Sequence, residues 1–428
     1  MAGTQADAEA REKRSRTDGA VAPNPTVASA SAGWREGEPL RVADAQPWET
    51  TEPLTVDGCR EVFDNVAPFT LGIEEELMLV DSESLELAPV NGEVLSQFDG
   101  DSPYRTELRA AQIEIVTRVC ATASEACTEL ADARRTLVER LDGDVRLLAA
   151  GTHPTCSENA WGTVSEAARY RMLADEYEWA TRRTLVCGLH VHVAVGGAER
   201  TLAVYNALRS YIACIGALAA NSPFFEGRDT GLCSIRTKLH EAFARAGVPP
   251  VFNDWREFVE LVDWGRRGGL FPDASHFWWD LRLHPEYGTI ELRVADAQTR
   301  VEDNSAIAAL FQALVISLAR RYDMGEELPV DDHFRVHENT WRAAKHGVHG
   351  WLVDCRTAER VPTRVHLARL LDELAPLADE LAITEVLNGA RVLLAGNGAD
   401  RQRYVAARHG LDKLTRWLIN ETEAVTEQ

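Results

Sequence analysis

The 428-residue chain has no CxxC pair, no glycine-rich phosphate loop and no dinucleotide-binding fingerprint. Nucleotide use, if present, therefore rests on other parts of the sequence. Ser222 and Ser234 lack the setting of a nucleophile elbow, which leaves a serine hydrolase without support. Basic residues are outnumbered, 45 to 67, for a formal charge of -22. That balance argues against general nucleic-acid binding, since a phosphate backbone calls for a concentrated basic surface. No segment reads as a clean membrane span, and the N-terminus has no apolar signal core. A cytoplasmic location is expected. The eight cysteines, Cys59 to Cys355, are scattered through apolar segments and suit reduced, buried thiols.

What is present is the composition of a globular protein, 45% hydrophobic and 26% charged. Residues 1–33 are rich in Ala, Ser, Thr, Gly and Pro and are expected to be a disordered extension. An irregular arm is expected over 34–68, then a single catalytic domain over 69–428. Strands are expected at Phe69–Val80, Leu85–Val90, Gln112–Val119 and Leu185–Val195, with a hairpin of Phe277–His284 and Thr289–Ala295. Apolar spacing predicts helices near 124–149, 163–183, 200–220, 235–246, 303–320, 336–349, 363–387 and 400–417. Strand and helix do not alternate regularly, so the fold class is α+β: an antiparallel sheet with helices on one side.

Period-two alternation locates the chemistry. In Gly72-Ile-Glu-Glu-Glu-Leu77, Glu74 and Glu76 share a strand face and Glu75 takes the other. Gln112 and Glu114 repeat the pattern, and Glu107 can reach the same face from a bend. Carboxylates gathered this way suit magnesium, a hard cation that prefers oxygen ligands. His190 and His192 share a face of Cys187-Gly-Leu-His-Val-His-Val193. Zinc is weighed for this pair, but no cysteine ligand lies near and the glutamates are many. The hairpin sets Asp280, Arg282 and His284 on one face, with Glu291 and Arg293 across the turn. Glu291 is read as a cation ligand and Arg293 as a phosphate holder. Arg335 and Arg342 are further candidates for a phosphate or carboxylate clamp, and Arg228, Ser234 and Arg236 lie on a segment able to contact ligand.

These motifs, with Asn221-Ser-Pro-Phe-Phe225 and Thr289-Ile-Glu-Leu-Arg-Val294, resemble the glutamate–cysteine ligase type 2 family of carboxylate–amine ligases. The resemblance runs from Phe69 to the C-terminal helices. It implies a glutamine synthetase-like fold, in which a curved antiparallel sheet carries the metal and ATP ligands and helices pack on its outer face. It makes Glu74, Glu76, Glu107, Glu114 and Glu291 metal-site residues and His190 and Arg293 nucleotide-site residues; Arg282 and Arg335 join the nucleotide-site candidates from their place in the sequence. Glu74, Glu76, Glu114, His190, Glu291 and Arg293 form the catalytic set. It further implies a homodimer that couples ATP cleavage to amide formation through an acyl phosphate, with glutamate and cysteine as first substrates. The rivals are a magnesium-dependent phosphotransferase or ATP hydrolase, and a non-catalytic nucleotide-binding protein.

Overall fold

The computed structural model describes residues 54–100, 102–156 and 164–424. The expected extension 1–33, and residues 34–53 of the expected arm, lie outside the described residues. The rest of that arm is not irregular: it carries a helix, Val56–Asn65, capped where the Thr55 hydroxyl accepts from the Gly58 amide.

Seven strands form the main sheet: β1 (Leu71–Asp81), β2 (Tyr104–Thr106), β3 (Gln112–Val116), β4 (Val145–Leu148), β5 (Gly188–Ala194), β6 (Leu281–His284) and β7 (Thr289–Asp296). Their order is β6-β7-β5-β1-β3-β2, and β4 pairs with the far end of β1. Every pairing in this sheet is antiparallel.

The expected curvature is not found. The sheet is an open path, neither curled nor closed, and its outer strands β6 and β2 are not paired to each other. Closure needs repeated bulges to bend the ladders. Here one register shift, between Leu292 and Ala295, interrupts them. The α+β class with outer helices stands.

One sheet face is aliphatic. Ile73, Leu77, Ile113, Ile115, Val191, Leu283 and Leu292 join a single core with the helices Ala123–Arg140, Ala198–Leu208 and Val301–Asp323. Val301–Asp323 is buried almost throughout. It and Ala198–Leu218 are long and apolar enough to cross a membrane, yet most of each stretch is packed inside the fold. The same face contains one charged pair. Glu75, between Ile73 and Leu77 in parity, meets Arg134, whose Nε donates at 2.7 Å. The opposite face is polar at its centre. Beyond it, Met78, Val80 and Leu148 form a smaller cluster with Leu414 and Leu418 of the C-terminal helix Leu411–Glu423.

Several element expectations change; the helix expected at 235–246, for one, is confined to Arg236–His240. Leu85–Val90 makes one bridge, Val80 to Leu87, and no strand, because Leu85 has a positive φ of 62° after a turn held by Asp81. The helix expected at 124–149 spans Ala123–Arg140, capped by Thr122. Its tail is strand β4, paired with β1. The helices expected at 363–387 and 400–417 each divide in two, at Ala382 (φ 55°) and Gly410 (φ 82°). A helix over Trp255–Arg267 was not anticipated, although Asp254 caps it and Glu257 lies at the third position.

Candidate active site

The polar face gathers its side chains by register. Glu74 lies opposite His190, Glu76 opposite Glu114, Glu291 opposite both His192 and Arg282. Each pair joins residues of like parity on neighbouring strands, so all project to one side. They adjoin a cavity of about 680 Å³, lined by Glu74, Glu76, Glu107, Glu114, His190 and Arg293 among others. Arg282 also lines it.

His190 stands at the centre. Its Nδ1 is 3.1 Å from Glu74 Oε2 and 3.9 Å from Glu291 Oε1, and its Nε2 is 3.7 Å from Glu76 Oε1. His192 Nε2 lies 3.2 Å from Glu74 Oε1, while its Nδ1 meets the Thr289 hydroxyl at 3.0 Å. Glu291 is fully buried beneath the cavity wall: Arg282 Nε donates to Oε2 at 2.6 Å and Arg293 Nη1 donates to Oε1. Glu76 is fixed by the Gly188 amide, 2.6 Å from Oε2. Glu107 reaches the site from the bend before β3, where Gln112 accepts from the Arg109 amide and donates to the Val186 carbonyl. Gln112 is thus a brace for that bend.

Electrostatics follows from crowding acids in a buried place. Burial, and then the charge of Glu76, pushes Glu107 up to about 7. Glu114 is raised well above the usual carboxylate range by burial and by Glu74, Glu107 and Glu76. Burial also works against ionised Glu74, but His192 and His190 outweigh it and hold it well below that range. Burial and Arg293 lower His190. His192 is raised: burial opposes its charge, and Glu291 and Glu74 overcome that. A cation bound beside them would lower both Glu107 and Glu114.

At this site two donor groups lie close enough for an ion, Glu74–His190–Glu291 and Glu76–Glu114–His190, and they share His190. His190 Nε2 is buried without a hydrogen-bond partner. Mostly carboxylate donors around one orphaned imidazole nitrogen fit a divalent cation.

Some expectations are displaced. Arg335 does not line the cavity; exposed on the helix His333–His346, it donates to the Cys355 carbonyl at 2.5 Å. Arg342 is likewise elsewhere, stacked 3.1 Å from the Trp351 ring centroid. Loop-to-helix polarity had no strand partner to fix its direction. Asp280 precedes β6 and faces a separate small cavity beside Lys238, with burial raising it to about 6. Ser222 and Ser234 both donate to Asp296 and serve the fold. Sequence reasoning gave no role to Arg105, Arg169, Tyr170 and His240, which line the cavity from other elements. No periodic signal marks them.

Residues 70–422 match the model of glutamate–cysteine ligase family 2. The chain belongs to that family. A chain of Rubrobacter xylanophilus bearing the name glutamate–cysteine ligase 2-3 is 39% identical over 350 residues, 80% of this chain and 94% of the other. One of Thermobifida fusca, named glutamate–cysteine ligase 2, is 35% identical over 354 residues, 80% and 88% of the two. The fold resembles the glutamate–cysteine ligase of Francisella tularensis solved with AMP, with a TM-score of 0.62, 12% identity and coverage of 83% and 89%. A bifunctional glutathione synthetase of Pasteurella multocida gives 0.60, at 13% identity over 86% of this chain and 53% of that one. This member of the family is an ATP-dependent carboxylate–amine ligase, broadly of the glutamate–cysteine ligase kind.

Proposed function

We propose that this ligase joins glutamate, through its side-chain carboxylate, to cysteine, using magnesium-bound ATP. The observation that carries the reading is the convergence of Glu74, Glu76, Glu107, Glu114 and His190 on one cavity, with Arg282 and Arg293 behind them. Transfer of a phosphoryl group asks chiefly for positioning and offset of charge, and the site sets Arg282 and Arg293 beside its carboxylates on the same sheet face. Glu74, Glu76, Glu114, His190 and Glu291 would hold magnesium, which when bound screens the phosphates and polarises the group in transit. Arg293, tethered to Glu291, keeps its guanidinium at the cavity edge to meet anionic oxygen. The AMP in the Francisella enzyme supports an adenine nucleotide here. The carboxylate attacks phosphorus, ADP leaves, and the amine then displaces phosphate from the acyl carbon.

Eight cysteines free of disulfides agree with a reducing, cytoplasmic setting, and a homodimer is retained as the proposed assembly. The decisive test is a matrix of carboxylates and amines, scored for ADP and for product mass. Equal amounts of ADP and γ-glutamylcysteine are expected with glutamate and cysteine. ADP release that ignores the amine, with no amide formed, would mean an ATP hydrolase or phosphotransferase instead.

A further inference from the structure

Arg236 opens the short helix Arg236–His240, lines the cavity and is 3% exposed. Its Nη1 donates to the Arg293 carbonyl at 3.2 Å, and its Nε is buried with no acceptor. Among the described residues no carboxylate oxygen lies within 4.0 Å of its guanidinium nitrogens. Its charge reaches two acids at longer range: Asp296 already accepts from the Asn221 amide, Ser222 and Ser234, and Asp280 lines the separate small cavity beside Lys238. The other buried arginines beside the site are matched: Arg282 and Arg293 both meet Glu291. Arg109 and Arg209 also lack an acid, but they donate to carbonyls and do not border the cavity. A guanidinium held out of water without a counter-ion is costly unless an anion joins it in the working enzyme.

Its position indicates which anion. A Cβ on Gly188 would lie 2.2 Å from Arg236 Nη2 and 3.0 Å from His190 Nε2, so guanidinium and imidazole share the space over that glycine. Arg236 Nε, Arg293 Nε and His190 Nε2 are all buried without partners. His190 belongs to both cation donor groups. A ligand at this corner therefore lies between the cation positions and two guanidinium groups. The mount is rigid. Ser222 Oγ accepts from the Arg236 amide at 3.2 Å and donates to Asp296 at 2.7 Å, so the Asn221-Ser-Pro turn sets where Arg236 begins.

We propose that Arg236, with Arg293, contacts the oxygens of the phosphoryl group during its transfer from nucleotide to carboxylate. In that step a carboxylate oxygen forms a bond to the γ-phosphorus while the bond from phosphorus to the β–γ bridging oxygen breaks. The electron pair leaves with ADP. Negative charge on the three other phosphoryl oxygens persists throughout, and guanidinium donors beside it need no reorganisation. The inference rests on the ligase reading.

The test compares the wild type with Arg236→Gln and Arg236→Lys by calorimetry, using magnesium–ADP alone, magnesium–ADP with aluminium fluoride as a mimic of the transferring group, and glutamate alone. In the Gln variant the fluoride-dependent tightening should fall about 100-fold, the usual loss for one such donor. Affinity for magnesium–ADP and for glutamate should stay within about 3-fold. kcat should drop by the same factor as the tightening, with the KM for glutamate unchanged. The Lys variant keeps the charge and should lose less, about 10-fold. It decides the matter by the same criteria if the Gln variant lacks a cooperative melt. Tightening that survives substitution overturns the proposal, whether or not glutamate binding weakens; weakened glutamate binding alone would make Arg236 a carboxylate anchor. If the wild type shows neither tightening nor amide product, the ligase reading itself has failed.

Discussion

Glu74 and Glu75 are neighbours with opposite destinies, because successive strand residues face opposite ways. Glu75 is sealed in the helix-covered face with Arg134, and Asn304 also donates to it. Glu75→Ala leaves a buried guanidinium with backbone carbonyls but no counter-charge and should cost about 3–5 kcal/mol in urea unfolding. Glu74→Gln should keep stability within about 1 kcal/mol of the wild type and reduce ADP formation at least about 100-fold. A second residue-scale prediction concerns pH. Glu107, ordinarily 4.5, is raised to about 7 in the folded chain. Between those values the folded state holds a proton that the unfolded state has released. Unfolding free energy of the metal-free protein should therefore fall as pH rises from about 4.5 to 7, by about 1.4 kcal/mol per unit for one proton. Below that window both states are protonated and the slope vanishes. Glu114 acts in the same direction. Urea midpoints in chelator across this range should show the decline, and Glu107→Gln should make it shallower.

Elements place these residues only where their ends are fixed. The helix Trp255–Arg267 depends on Asp254, whose carboxylate accepts from the Glu257 amide at 3.0 Å. Asp254→Ala should destabilise the protein by about 1 kcal/mol without changing turnover, read from the melting midpoint and the steady-state rate. The irregularity in β7 has a different role. The Asp280 carbonyl accepts from both the Arg293 and Val294 amides, and pairing with β5 resumes at Ala295. Through this bulge Arg293 stays on the cavity side while Val294 packs against Gly216. The hairpin alternation in the sequence shows Glu291 and Arg293 on one face but does not reveal that two amides share one carbonyl.

At the scale of the molecule, the site is a store of uncompensated acid held together by a core on the other side of the sheet. An ion that binds only the folded state stabilises it by mass action, by about 2.7 kcal/mol at a hundredfold excess over its Kd. Magnesium should raise the melting midpoint of the wild type, and the gain should shrink in Glu76→Gln. Reducing agent should leave the midpoint unchanged, since all eight cysteines are free.

The sequence by itself determined which residues share a strand face, because a side-chain period of two follows from backbone geometry alone. Glu74 with Glu76, His190 with His192, and Glu291 with Arg293 were legible for that reason, as were the most apolar helices. It could not determine which strands lie side by side, where a long apolar stretch ends, or whether the sheet curls. Those depend on contacts between distant segments: β4 leaving the expected helix to pair with β1, Ala382 and Gly410 dividing two others. Arg236 and Arg335 show the limit most clearly. Both are arginines near helix starts, yet a serine turn bound to Asp296 delivers the first to the cavity and the second remains at the surface. Only the folded chain brings the carboxylates within reach of a shared cation, since no local rule relates strands that far apart in sequence.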